Sequence, residues 1–222
     1  MKSRFLYGWR MTTSIETTVF AALEGRRLLT HPFYVRWENG DLSLSELTHY
    51  AEQYRFFEQY LPEFLIELSR NFDDGVTRDA VLANLNDEVA APSHLHLFDQ
   101  FARAFGAEET EPSPAMADLL DAYRQALCAG GAVAVAGLLA YEVQGAEIAE
   151  SKKVGLARHY GAGPDALEFW TTHSSLEQDH AQWTLDGLAA LSPSDDDVNR
   201  GVCLVADGWW NFLSEREAFA LA

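Results

Sequence analysis

The sequence predicts an all-α protein, and three observations support this. Apolar residues recur at helical spacing along almost the whole chain, and no stretch shows the alternation of a half-buried strand. Short connections rich in Gly, Pro, Ser or Asp separate the periodic segments. The chain has 222 residues, of which 48% are apolar, so it can bury a substantial core. We therefore expect one helical domain over residues 1–222, a bundle of seven to eight helices with residues 1–11 as an N-terminal tail.

Four helices are predicted in the first half of the chain, over residues 14–29, 43–72, 76–88 and 93–106. The first ends just before Pro32, because a residue that precedes proline avoids helical geometry. Ser43 or Ser45 is the N-cap of the second helix, and Glu46 stands three residues after Ser43, as a capping box requires. We expect this long aromatic-rich helix to bend or restart at Pro62.

The second half predicts four more helical segments. One covers residues 115–128, and a long one rich in small residues runs from about residue 129 to Gly161. Pro164 begins the third segment, since proline is favoured at the first helical position. The last follows the acidic loop 192–197 and carries Trp209 and Trp210, a pair that suits either the core or a homodimer interface.

Composition restricts the class of partner. The formal net charge is −18, with 16 basic residues against 34 acidic ones, so the chain offers little to neutralise nucleic-acid phosphates or to bind an anionic membrane. Cys128 and Cys203 are isolated, as in a reducing compartment, and are expected to be small buried hydrophobes. We expect a cytoplasmic protein whose partners are small molecules, with no nucleic acid and no membrane.

The stretch HSSLEQDH, residues 173–180, places His173, Glu177 and His180 on one face of a helix. Two interpretations are open: a polar surface stripe, or half of a metal site. Phe169 and Trp170 surround the triplet with apolar bulk, which favours an inward orientation.

Two further segments carry residues that could complete such a site. Glu142 lies in the small, apolar stretch LLAYEVQG, where a carboxylate is costly unless a cation or an arginine pairs with it. NLNDEVAAPSHLHLF brings carboxylates and imidazoles to a tight turn between helices, where the alternative is a set of surface residues. Together these regions supply the mixed oxygen and nitrogen donors that suit iron or manganese and not a structural zinc: Glu88, His94, Glu142, His173, Glu177 and His180.

These motifs resemble a known family. The segments HPFYVRWENGDLSLSELTHYAEQY, NLNDE with H-x-x-LF-x-x-F, AYE-x-Q-x-x-EIA-x-SK-x-x-GL-x-x-HYG, and H-x3-E-x2-H occur in the order found in the haem-oxygenase-like diiron oxidases. TenA-type thiaminases and the PQQ synthase share that fold. The resemblance covers about residues 25–215 and implies a haem-oxygenase-like bundle that holds two metal ions.

Within that group the chain is most similar to the CADD-like p-aminobenzoate synthases. This resemblance implies a self-sacrificing oxygenase of folate biosynthesis, in which Tyr34 becomes the aromatic ring and Lys152 donates the amino group. Tyr50 and Tyr141 match aromatic positions near the metals. The implied cofactors are two ions cycling between Fe(II) and Fe(III), or one iron and one manganese, with O2 and an external reductant. The implied metal ligands are the six residues named above.

The sequence departs from the family pattern in two places. The turn between Glu88 and His94 is about one residue shorter than expected, so Asp87 or His96 is an alternative ligand. Trp170 stands where a tyrosine is usual. For the two proposed reactants there are plain alternatives, Tyr34 as a core residue packed beside Trp37 and Lys152 as an exposed helix lysine.

Two other functions are retained as hypotheses. The first is a diiron oxidase that acts on an external amino acid or fatty acid by desaturation, N-oxygenation or C–C cleavage. The second is a non-catalytic binding protein whose metal ligands are vestigial. A thiaminase is disfavoured because Cys128 lies about four turns from Glu142. A metal-free PQQ-synthase-like enzyme would leave several buried carboxylates and histidines without a cation.

Overall fold

The computed structural model describes residues 14–219, and all regular structure in that range is helical, as predicted. The predicted tail, residues 1–11, lies outside the described range. A 3-10 turn at Leu28–Thr30 follows the first helix. The α-helices are, in chain order, α1 Ser14–Ala22, α2 Pro32–Asn39, α3 Leu44–Ser69, α4 Val76–Val89, α5 His94–Ala104, α6 Pro114–Ala129, α7 Gly131–His159, α8 Pro164–Ala190 and α9 Asp195–Phe219.

Within residues 14–219 there are thus nine α-helices, one more than the seven to eight expected, and the difference arises around residue 30. The first helix ends at Ala22, and α2 begins at Pro32. The prediction used Pro32 only as a stop signal, but proline also suits the first position of a helix, where its missing N–H costs nothing. The ring Nδ1 of His31 caps α2 by accepting a hydrogen bond from the backbone N–H of Phe33.

The long third helix follows the capping prediction but not the proline prediction. Ser43 accepts a hydrogen bond from the backbone N–H of Glu46, and the Glu46 carboxylate accepts one from the backbone N–H of Ser43, so the capping box is formed. Pro62 does not restart the helix, because α3 is a single helix from Leu44 to Ser69.

Helix α7 is the centre of the bundle. It packs against α8 and α9 and also contacts α6 and α2, while α8 also packs against α4 and α5. By length and composition α7 could cross a membrane, but 78% of its most apolar window is buried inside the protein, as in the core helix of a globular protein. This arrangement brings the facing sides of α4, α5, α7 and α8 together.

Two expectations about individual side chains are corrected or refined. Cys128 is exposed and Cys203 is only half-buried, so the expectation of two small buried hydrophobes is wrong. Cys128 is the penultimate residue of α6 and lies beyond that helix's buried face. Trp209 is fully buried and belongs to the core, whereas Trp210 is half-buried and packs its ring against His31, with centroids 4.6 Å apart.

Candidate metal centre

Four helices supply the six side chains that the sequence nominates as metal ligands. Glu88 comes from the last turn of α4, His94 begins α5, Glu142 lies in the middle of α7, and α8 supplies the triplet His173, Glu177 and His180. All six are buried. The inward orientation predicted for the HSSLEQDH face is therefore correct, and the alternative of a surface stripe is excluded.

The turn between α4 and α5 brings Glu88 and His94 into contact. Glu88 Oε2 lies 3.0 Å from His94 Nδ1, and the His94 ring lies 4.4 Å from the His173 ring, measured between centroids. One donor atom from each of these three residues fits within a span of 4.8 Å. His94 Nδ1 makes no hydrogen bond of proper geometry. Such a group of facing lone pairs is what a metal ion requires.

The other hydrogen bonds of the α8 histidines leave one ring nitrogen free on each. His173 Nδ1 is 2.8 Å from the carbonyl oxygen of Phe169, so it carries the proton and Nε2 keeps a lone pair. His180 Nε2 is 3.1 Å from Asp87 Oδ2, which fixes the opposite tautomer and leaves Nδ1 available. Metal-binding histidines are typically oriented by a carboxylate or a carbonyl in this way.

Five of the six residues line a cavity of about 20 Å³: Glu88, Glu142, His173, Glu177 and His180. This is space for about one water molecule or ion. The Oε2 atoms of Glu142 and Glu177 are buried and lack hydrogen-bond partners. The site therefore contains buried acceptor atoms that nothing in the described chain satisfies, which is costly unless a cation binds.

Burial and neighbouring carboxylates shift the pKa values of these carboxyl groups upward. Burial raises the pKa of Glu142 to about 8, against opposing hydrogen bonds from Thr184 and Asn84 and with a further rise from Glu88. Burial, and then the neighbouring Glu142, Glu88 and Glu58, raise the pKa of Glu177 well above its ordinary value. A divalent ion would reverse both shifts, because it favours the charged carboxylates. The donor set thus fits iron or manganese.

The residues named as alternative ligands or partners in this region have different surroundings. His96 is exposed and does not face the cluster. Asp87 is half-buried and its carboxylate contacts His180 Nε2, whereas Glu88 is buried and contacts His94. Among residues 14–219 no arginine pairs with Glu142, and its carboxylate instead accepts a hydrogen bond from Asn84 Nδ2.

Sequence reasoning missed three side chains at this site: Glu58, Tyr54 and Asn84, which all line the cavity. Each lies one helical turn from another residue that lines the cavity. Asn84 is four residues before Glu88, and Glu58 is four residues after Tyr54. The signal for Glu58 was its place on the buried apolar face of α3, where a carboxylate needs an explanation.

A second polar group lies beside this site, inside an aromatic cage. Lys152 Nζ donates a hydrogen bond to the Tyr50 hydroxyl at 2.5 Å, and that hydroxyl is 3.1 Å from the Tyr34 hydroxyl. The same Nζ lies 4.3 Å from the ring centre of Trp170 and 4.7 Å from that of Tyr34. Tyr34 also packs against Trp37, as its plain alternative expected.

Lys152 is 1% exposed, so the alternative of an exposed helix lysine is wrong. The error arose because neighbouring Glu147 and Glu150 are exposed and make this stretch of α7 look solvated. Burial lowers the pKa of Lys152 well below its ordinary value, although the charges of Glu58 and Glu177 oppose that shift. Burial therefore favours the neutral form of the amine over its charged form.

Two tyrosines connect the cage with the cavity. The hydroxyls of Tyr54 and Tyr141 are 2.8 Å apart, and both side chains line the cavity. On the other side, the ring of Tyr54 stacks on that of Tyr50 with centroids 5.3 Å apart. Of the four residues expected to react or assist, Tyr141 therefore borders the candidate metal centre, whereas Tyr34, Tyr50 and Lys152 form a layer behind Tyr54.

The sequence of this chain is similar to a known family and to individual proteins of other organisms. A family model described as "Iron-containing redox enzyme" matches residues 48–210. The 4-aminobenzoate synthase of Chlamydia pneumoniae is 33% identical over 202 residues, which cover 86% of this chain and 90% of the relative. The 4-aminobenzoate synthase of Nitrosomonas europaea is 31% identical over 223 residues, covering 91% and 90% respectively.

Solved structures share the fold at much lower identity. A TenA homologue from Pseudomonas syringae pv. tomato superposes with a TM-score of 0.77 at 14% identity, covering 92% of this chain and 93% of that one. A CADD-like protein of unknown function from Nostoc punctiforme gives a TM-score of 0.71 at 16% identity, covering 94% and 97%. These likenesses establish the haem-oxygenase-like fold.

Proposed function

The chain belongs to the family of iron-containing redox enzymes with a haem-oxygenase-like fold, and on that basis we propose that it is a 4-aminobenzoate synthase that consumes its own Tyr34 and Lys152. The observation that carries the proposal is the buried amine of Lys152, held 4.7 Å from the ring centre of Tyr34. Relatives named 4-aminobenzoate synthase that match most of the chain support the same product.

The chemistry of the product fits a tyrosine precursor. The hydroxyl and Cβ of tyrosine are para to each other, as are the amino and carboxyl groups of 4-aminobenzoate. Conversion therefore requires a C–N bond in place of the phenol oxygen of Tyr34, cleavage of its Cα–Cβ bond, and oxidation of Cβ to a carboxylate. The Lys152 nitrogen is the proposed amino donor, so its Cε–Nζ bond must break as well, with O2 as the oxidant and the phenol oxygen leaving as water. The hydrogen bond from Nζ to Tyr50 orients the amine.

The proposed centre holds two metal ions, Fe/Fe or Fe/Mn, through the three histidines and three carboxylates of α4, α5, α7 and α8. When bound, iron supplies O2 activation and one-electron oxidation, with electrons from an external reductant. The protein excludes bulk water from the cavity, keeps the imidazoles in metal-binding tautomers through Asp87 and Phe169, and lowers the pKa of the Lys152 amine by burial.

Proximity alone does not select the reacting tyrosine. Lys152 Nζ lies at nearly equal distances from the ring centres of Tyr34, Tyr50 and Tyr54, namely 4.7, 5.0 and 4.8 Å. The assignment to Tyr34 rests on its place in the HPFY motif. Tyr50 and Tyr141 are proposed to assist, Tyr50 by hydrogen bonds to both reactants and Tyr141 at the border of the cavity.

The test is product formation by protein purified without oxygen, loaded with ferrous iron, and then given O2 and a reductant with no organic substrate. We expect 4-aminobenzoate in no more than one equivalent per chain from the wild type. Tyr34→Phe should give none while it keeps its iron. Tyr160→Phe is the matched control, because Tyr160 is half-buried and bonds to the backbone N–H of Leu42, away from the cage.

Other outcomes would select the rival functions. Product from Tyr34→Phe would contradict the assignment of Tyr34. Many turnovers with an added amino acid or fatty acid would favour an oxidase with an external substrate. No iron and no O2 consumption would favour a non-catalytic binding protein. We expect the reaction to take place in the cytoplasm and to need only small molecules as partners, whether the chain is a monomer or a homodimer.

A further inference from the structure

Glu58 is a carboxylate of the metal cavity that the six-ligand set does not use. It comes from α3, a helix that contributes none of the six ligands, and it is 3% exposed. Its side chain lines the same cavity as Glu88, Glu142 and Glu177. Its Oε2 atom is buried and has no hydrogen-bond partner.

This carboxylate forms no ion pair within the described part of the chain. None of the ion pairs among residues 14–219 includes Glu58. Lys152 is a nearby basic group, but its Nζ donates a hydrogen bond to the Tyr50 hydroxyl and forms no ion pair with Glu58. The Tyr54 hydroxyl, one turn earlier on α3, provides a hydrogen bond to the carboxyl group. A buried carboxylate with one free oxygen is costly unless a cation reaches it.

Charge balance gives an independent reason to bring Glu58 to the metals. Two divalent ions carry four positive charges, whereas the carboxylates of Glu88, Glu142 and Glu177 carry three negative charges and the histidines are neutral ligands. A net positive charge would then remain in a buried site with space for about one water. A fourth carboxylate makes the centre neutral.

We propose that Glu58 is a seventh ligand, so that α3 binds the dinuclear centre directly alongside α4, α5, α7 and α8. This deepens the proposed function and rests on its metal site. The role also links the centre to the aromatic cage, because α3 carries Tyr50 and Tyr54 on the same buried face as Glu58.

The experiment compares Glu58→Gln with wild type and with Glu63→Gln, an exposed position on the same helix. Metal content and affinity are measured by anaerobic titration calorimetry with Mn²⁺ and Fe²⁺. The unfolding free energy of each metal-free protein is measured in parallel. We expect Glu58→Gln to weaken the binding of at least one ion by about tenfold or more, a loss typical of changes at or next to a metal ligand. The Glu63→Gln protein should bind metal as wild type does.

A second measurement separates direct ligation from the mere presence of a nearby charge. Mössbauer spectra of the ⁵⁷Fe²⁺-loaded proteins should show an altered doublet for one iron in Glu58→Gln, because its ligand set has changed. Weaker affinity with unchanged doublets would overturn the inference, as would unchanged affinity. Loss of metal-free stability with unchanged affinity would assign Glu58 to the support of Tyr54. If the wild-type protein itself bound no metal, both the proposed function and the role of Glu58 would be wrong. Metal binding by the wild type therefore distinguishes a failure of the Glu58 proposal alone from a failure of the proposed function.

Discussion

A methyl group added at Gly145 should separate metal binding from folding stability. Gly145 lies on α7 and faces Glu177 of α8, and a Cβ there would be 2.6 Å from Glu177 Oε2 and 2.7 Å from its Cδ. Ordinary contact begins at 3.4 Å, so the carboxylate must retreat by about 0.8 Å. All three atoms that the new Cβ would meet, including Cγ at 3.0 Å, belong to the Glu177 side chain and none to the backbone, so we expect the side chain to move and not the helices.

Gly145→Ala should leave the metal-free stability unchanged or slightly raised but lower the metal affinity. Alanine favours the helical state over glycine by about 1 kcal/mol, which offsets the small cost of rotating Glu177. The metal-free protein should therefore be as stable as wild type or slightly more stable. Metal binding should weaken by about tenfold or more, because a ligand oxygen is displaced from the cavity.

The assay for Gly145→Ala is chemical denaturation of the metal-free protein together with calorimetric titration of Mn²⁺. Gly137→Ala is the matched control: it lies on the same helix, and its Cβ would meet Val205 Cγ2 at 3.0 Å but no site residue. Wild-type metal affinity in Gly145→Ala would refute the reasoning that Glu177 reaches the metals from its present position. Equal losses of affinity in both variants would refute it too.

Three further predictions follow from the same contacts. Asn84→Leu removes the hydrogen bond to Glu142 and should lower metal affinity by about 10- to 100-fold in calorimetry, and wild-type affinity would mean that Glu142 needs no such orientation. The pKa of Glu142 is raised from 4.5 to about 8, so between these pH values the native state binds one more proton than the unfolded state. The unfolding free energy of the metal-free protein should therefore fall as pH rises from about 4.5 to about 8, and a rise across this range would contradict the prediction. Lys152→Met should abolish 4-aminobenzoate formation and leave the iron content intact. It should also raise the unfolding free energy by about 1 kcal/mol, since an apolar chain replaces a buried amine, and retained product in a chromatographic assay would exclude Lys152 as the donor.

The ends of helices were predicted correctly where they depend only on residues close by in the sequence. The capping box of Ser43 and Glu46 and the helix start at Pro164 are present as expected. The region around residue 30 was mispredicted because Pro32 can end one helix or begin another, and the choice depends on His31, whose ring caps α2. The continuity of α3 through Pro62 depends in the same way on packing, which a single sequence does not contain.

The candidate site was predictable where its residues form a pattern on one helix. His173, Glu177 and His180 share a helical face, and their inward direction followed from aromatic neighbours. Glu58 and Asn84 were missed because neither belongs to a recognisable ligand motif, although each lies one turn from another cavity residue on its helix. Lys152 was identified by resemblance, whereas its burial in an aromatic cage required the packing of α2, α3 and α8 around α7.

The central claim is that product atoms come from the chain itself, and isotope tracing tests it most directly. Protein labelled with ¹³C in tyrosine rings and ¹⁵N in the lysine side chain is loaded with ferrous iron, then given O2 and a reductant in unlabelled buffer. The account predicts 4-aminobenzoate that carries both labels, together with a peptide altered at Tyr34 and at Lys152. Unlabelled product, or labelled product with both residues intact, would contradict it.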